Sequence, residues 1–298
     1  MRQNFARCSM VGTGYYARLS VFPVRRNAKK RGPRRLPTSE VQARLNLKNS
    51  EKHLADLIHL NFSPDDDEVN FDYRDGTMPG SVEEARADMR KFIRKYRVFW
   101  SKTTGRPKTE FKYIVITEFS KAGRFHHHCL FTGGISGRAI NAMWNAGRVT
   151  ADFLKFDENG LRGLSHYIIK QRIAYRRWMA SRNLRKPAPK QSDYRLTFRE
   201  LQYINEHPED VGFIESRFPG WKVSPQGIVT ERIVSEIREE AVEGENRGEG
   251  MPFAEVVLYR EECPYFERLE NGGIRYKFGL GPGFQIPDFG FPERGGGN

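Results

Sequence analysis

Two runs rich in β-branched and aromatic residues, Lys112–Phe119 (KYIVITEF) and Arg124–Thr132 (RFHHHCLFT), are separated only by Ser120-Lys121-Ala122-Gly123. That linker has the length of a hairpin turn. The pair commits the centre of the 298-residue chain to antiparallel strands, which constrains the fold more than any other feature. Side chains alternate across a strand, so the three consecutive histidines divide between its faces. His127 shares a face with Phe125, Cys129 and Phe131, which reads as the buried side. His126 and His128 share the other, close enough to grip one divalent cation. Glu118, just before the turn on the neighbouring strand, is placed to reach across as an oxygen ligand. Two imidazoles and a carboxylate suit Mn²⁺, and suit Mg²⁺ when phosphate and water complete the shell. A structural zinc site needs a fourth ligand that is not evident here. The three cysteines, Cys8, Cys129 and Cys263, are scattered and include no Cys-x-x-Cys pair.

The flanking segments extend the pattern. Val69–Tyr73 alternates like a short strand. Ser81-Val82-Glu83-Glu84 is a capping-box signature opening a helix with Ala85, Met89, Phe92, Ile93 and Tyr96 on one face. Ser136 is positioned to cap a short helix running to Trp144 and Asn145, and Gly147–Phe156 reads as another strand. Leu161–Trp178 is predicted helical and carries Tyr167 and Lys170. From residue 69 the order is strand, helix, strand, strand, helix, strand, helix. The expected class is therefore α+β: a ferredoxin-like antiparallel sheet with helices on one face, the other face free for a site, and an added tyrosine-bearing helix. Upstream, Thr38–Asn61 is predicted as one or two helices. Residues 1–37 read as a basic arm, 38–205 as the main domain and 206–298 as an accessory region with a Gly/Pro-rich tail.

Net charge is +13, with a pI of about 9.7. Such an excess makes polyanions the expected partners, nucleic acid first and an anionic membrane surface second. No run of about 18 apolar residues is present, and Met1–Phe22 lacks a signal-peptide core, so a cytoplasmic location is expected. Arg172, Arg176, Arg177, Arg182, Arg185, Lys186 and Lys190 are interleaved with Tyr175 and Trp178. Cations among aromatic platforms suit a single-stranded nucleic-acid groove, and they equally suit a solvated helix face. Tyr167 and Lys170, three residues apart, are neighbours on one helical face. A phenol with a pKa near 10 is a poor nucleophile until a cation stabilises its anion; Lys170 and a metal are both candidates for that task. Alone, a tyrosine here is as readily a packing residue. Its meaning comes from following the histidine strand.

Gly123-Arg124-Phe125-His126-His127-His128, Thr117-Glu118 before it and Tyr167-x-x-Lys170 after it together resemble the rolling-circle replication initiators of small plasmids and single-stranded DNA phages. These are HUH endonucleases. The likeness covers about residues 45 to 205 and implies a ferredoxin-like nuclease core over the 38–205 domain. It further implies His126 and His128 as the metal pair, Glu118 as third ligand, Tyr167 as nucleophile and Lys170 as its assistant. Single-stranded or hairpin origin DNA is the implied substrate. The middle histidine position is usually apolar in that family, and here it is His127. No Gly-x-x-x-x-Gly-Lys-Ser/Thr occurs, so a helicase and polymerase are expected from the host. Two other readings stand beside this one: a single-tyrosine relaxase or transposase, and a nucleic-acid-binding protein without chemistry. Relaxases of the larger class carry an N-terminal tyrosine, for which Tyr15 and Tyr16 are available.

Overall fold

A computed structural model describes residues 4–25, 40–161, 178–230, 251–280 and 284–287. In chain order it contains β1 (Asn4–Thr13), β2 (Tyr16–Arg25), α1 (Glu40–Asn61), β3 (Asp67–Asp72), α2 (Val82–Thr104), β4 (Tyr113–Phe119), β5 (Phe125–Phe131), α3 (Gly137–Met143) and β6 (Val149–Phe153). There follow β7 (Met179–Ala180), β8 (Lys190–Ser192), α4 (Phe198–Glu206), α5 (Val211–Arg217), β9 (Trp221–Thr230), β10 (Ala254–Arg260), β11 (Phe266–Arg268) and β12 (Ile274–Tyr276). The molecule is α+β, with every strand pairing antiparallel among the described residues.

One five-stranded sheet has the order β6-β3-β5-β4-β7. Its first four strands, numbered by their appearance along the chain, lie 4-1-3-2, with α2 and α3 as the two crossovers. That is the ferredoxin-like arrangement expected from the element order. The central hairpin turns through Gly123, whose φ of 76° is the left-handed conformation that glycine adopts without penalty. Helix α2 begins where the capping signature lies: Ser81 Oγ accepts the Glu84 N–H at 3.2 Å. The Glu84 carboxylate reaches back one residue further, to the Gly80 N–H at 2.8 Å. Ala85, Met89, Phe92, Ile93, Tyr96 and Trp100 of α2 are buried against Val69, Phe71, Val115, Cys129 and Phe131 of the sheet, with Ile140 of α3 and Trp144 beside them. Each large apolar side chain so buried contributes about 1.5–3 kcal/mol before entropy is counted.

The opposite sheet face is not free along its whole length. Ile114, Ile116 and Leu130 on it pack against Leu54, Leu57, Ile58 and Phe62 of α1 and its exit. The cover is α1, the helix predicted over 38–61. Towards the β4–β5 turn the apolar residues of that face give way to Glu118, His126 and His128, and the His126 side chain there is 22% exposed.

A second sheet, of order β8-β1-β2-β10-β9, overturns the expectation of a basic arm for residues 4–25. Ala6, Cys8 and Met10 of β1 and Leu19 and Val21 of β2 are buried with Val256 and Leu258 of β10 and Leu201, Ile204 and Ile214 of α4 and α5. The hairpin closes through Gly14 at φ 73°, where a side chain would collide with Ile286. Burial supplied by strands from the far end of the chain outweighs the pull of the neighbouring basic tract toward solvent. Helix α1 lies against this sheet too, through Arg18 and Asp56 (2.7 Å) and Lys52 and Glu255 (2.8 Å). The tail is ordered in part: Asp65 accepts the Gly279 and Leu280 N–H groups, and Phe284 packs on Tyr265.

Candidate metal centre

Register brings the three predicted ligands together. In the β4–β5 ladder Glu118 lies opposite His126 and Ile116 opposite His128, so the carboxylate is lateral to one ring and diagonal to the other. Glu118 Oε2 is 3.2 Å from His126 Nε2 and 3.5 Å from His128 Nε2. The two rings stand 5.0 Å apart at 84° to one another. One donor atom from each of the three residues falls within 4.8 Å of the others.

Electrostatics fit a cation here. Burial drives the Glu118 carboxyl upward, but hydrogen bonds and charge from His126 and His128 outweigh it and hold the pKa at about 2. The Glu118 hydrogen bond raises His126, against its own burial. Glu118 Oε1 is buried without a hydrogen-bond partner among the described residues. An orphaned carboxylate oxygen beside two imidazole nitrogens is a donor set that a divalent ion satisfies.

His127 has a different place. It is fully buried on the α2 side, with Nε2 3.0 Å from the Tyr73 hydroxyl and Nδ1 3.0 Å from Thr117 Oγ1. Burial, then the charges of His126 and His128, push its pKa down to about 3. Both ring nitrogens are engaged inside the core, so this ring is not a ligand. The structural role expected for the middle histidine follows from two hydroxyl partners.

Tyr167 and Lys170, with Arg172, Tyr175, Arg176 and Arg177, lie outside the described residues. The residues that bracket that segment are placed. Leu161 and Trp178 both pack into the cluster containing Ile116 and Leu130, on the sheet face that carries His126 and His128. Of the remaining basic residues, Arg185 is committed to packing, donating to the carbonyls of Leu60 and Ile286. Arg182 and Lys186 are exposed. Tyr16 is buried and donates its hydroxyl to the Asp157 carbonyl at 2.8 Å, while Tyr15 packs edge-on against Tyr265.

Sequence reasoning passed over the strand opposite β5. Asn70 of β3 pairs with His128, and its Oδ1 is 2.5 Å from His128 Nδ1. The signal was present in Glu68-x-Asn70-x-Asp72, polar residues alternating with buried Val69 and Phe71.

A ferredoxin-like sheet carrying two imidazoles and a carboxylate on its partly open face defines an α+β protein with a candidate divalent-metal centre. Residues 70–172 match a family model of replication-associated proteins of the ORF2 type, a match consistent with a rolling-circle replication initiator. It supports a role in initiating replication. No curated protein and no solved structure is significantly similar to the chain. Among the described residues no helix is long and apolar enough to cross a membrane.

Proposed function

We propose that this protein nicks single-stranded or hairpin origin DNA, with Tyr167 as nucleophile and Glu118, His126 and His128 holding Mn²⁺ or Mg²⁺. The observation that carries this reading is the convergence of those three side chains at one point on a sheet face that is open toward the hairpin turn. Two further facts support it. The segment bearing Tyr167 is entered and left by residues packed on that same face, and the family match extends over positions 167 and 170. The charge of +13 suits a phosphate-rich partner.

A bound divalent ion supplies Lewis-acid polarisation of the scissile phosphate. Tyr167 attacks in line: its oxygen–phosphorus bond forms as the bond from phosphorus to the 3′ oxygen breaks. The phenol proton leaves to solvent and the 3′ oxygen takes one up. The 5′ phosphate stays on the tyrosine as an ester, so the same residues are able to rejoin ends. Lys170 is assigned to stabilising the phenolate. The free 3′ hydroxyl primes synthesis by a host polymerase, and a host helicase opens the duplex ahead of it.

The N-terminal nucleophile of a larger-class relaxase has no good counterpart, since Tyr16 is locked in the core. A binding protein without chemistry is separated by experiment. Full-length protein incubated with single-stranded DNA of its own replicon and Mn²⁺ is expected to yield a covalent adduct on a denaturing gel. Tyr167→Phe is expected to yield none; an adduct formed by that variant at the wild-type rate ends the assignment.

A further inference from the structure

We infer that Asn70 is a positioning residue of the metal centre, accepting the Nδ1–H of His128 so that the ring offers Nε2 toward Glu118, and that Glu68 holds the Asn70 amide in the required orientation. The inference rests on the metal-dependent reading above and deepens it.

An amide's oxygen and nitrogen have nearly the same shape, so which one faces His128 must be decided by a neighbour. Glu68 decides it. It lies two residues before Asn70 on β3, hence on the same sheet face. Burial raises the Glu68 carboxyl, and a hydrogen bond from Asn70 opposes that rise, so the amide donates to a charged acceptor. A carboxylate only accepts, which commits Asn70 Nδ2 to Glu68 and leaves Oδ1 for His128 Nδ1 at 2.5 Å. A carbonyl oxygen also only accepts. Nδ1 must therefore carry the proton, and the lone pair of the neutral ring is on Nε2, 3.5 Å from Glu118 Oε2. Metal-ligating histidines are oriented in this way by whatever their other nitrogen donates to. The two ligand rings differ in the source of that control. His126 bonds to the backbone at Arg124, which no substitution removes, whereas His128 depends on a replaceable side chain.

The first test needs no variant. Nitrogen-resolved NMR of the imidazoles in full-length, EDTA-treated protein at pH 8 is expected to show His128 as the Nδ1–H tautomer, its signal assigned by loss in His128→Ala. An Nε2–H tautomer overturns the inference. The second is Mn²⁺ titration followed by electron paramagnetic resonance. Asn70→Leu is expected to weaken Mn²⁺ binding about 10–100-fold and to mix the two tautomers, while Asn70→Asp, which keeps an acceptor, is expected to stay within about threefold of wild type. If wild-type protein binds Mn²⁺ and Asn70→Leu binds it equally tightly, Asn70 has no such role and the metal centre stands. If wild-type protein binds none, the metal-dependent reading falls and the inference falls with it.

Discussion

His127 and His128 are neighbours in sequence, and β5 places them on opposite sides of one sheet in opposite chemical settings. On the side covered by α2 and α3, the ring of His127 meets Tyr73 and Thr117 and is kept neutral by burial, its pKa driven down to about 3. On the other side His126 and His128 face a carboxylate, and His126 is moved the other way, its charged form favoured by the Glu118 hydrogen bond. Asp67 belongs to the first setting. It shares the helix-covered side of β3 with Val69 and Phe71, and its Oδ2 has no partner among the described residues. Burial first, then the charge of Asp66, push its pKa to about 7. A covered face penalises charge and demands internal partners; a face open at one end tolerates charge and leaves lone pairs to share.

The contrast breaks most visibly at the metal. Removing either imidazole of the open face, His126→Ala or His128→Ala, is expected to lower Mn²⁺ affinity at least about 100-fold in a paramagnetic-resonance titration, because each deletes a ligand. His127→Leu is expected to leave that affinity within about threefold, since its ring is not a ligand. A large loss there would place the metal on a different histidine pair.

Folding stability is expected to respond the opposite way. By urea unfolding in EDTA at pH 7.5, His127→Leu is expected to cost about 1–3 kcal/mol, because the buried hydroxyls of Tyr73 and Thr117 lose their shared partner. The same substitution sharpens the pH dependence. Between its ordinary value of 6.5 and the folded value of about 3, the unfolded chain holds a proton on His127 that the folded chain does not. Wild-type stability therefore falls as pH drops through that window, and His127→Leu is expected to flatten the fall. Glu118 adds to the acid loss, below its ordinary value of 4.5 and down to about 2.

Asp67→Asn is the smallest of these effects and has the reverse sign. The folded pKa of about 7 lies above the ordinary 3.8, so folding gains a proton in that interval and wild-type stability falls as pH rises through it. Substitution with a neutral amide is expected to stabilise the protein at pH 8 by up to about 1 kcal/mol and to leave it nearly unchanged at pH 4. Destabilisation at both pH values would mean that the carboxylate serves a partner.

The second sheet shows where reading along the chain stops working. In the ferredoxin-like sheet, strands and helices alternate locally with capping and turn signals beside them, and the register of β4 on β5 follows from a four-residue turn. In the other sheet, β1 and β2 pair with β8 and β10, which lie far away in sequence. Residues 4–25 alternate plainly enough, with Ala6, Cys8 and Met10 on one side, yet nothing near them supplies a partner beyond their own hairpin. The basic tract that follows suggested an arm instead. Helix α4 was missed although Thr197 and Glu200 form a complete capping box, because its short apolar stripe of Leu201 and Ile204 has meaning only against the distant strands.

What the amino-acid order determined by itself was periodic and local: two histidines on one side of a strand, a third on the other, and a glutamate one turn away on the neighbouring strand. The tertiary structure decided what each side means. It sealed one side with α2 and α3, drew α1 over much of the other, and set β3 beside β5 so that Asn70 meets His128. The physical reason is that a strand's period settles which way a side chain points, whereas its burial, charge and partners come from elements that arrive from elsewhere in the chain.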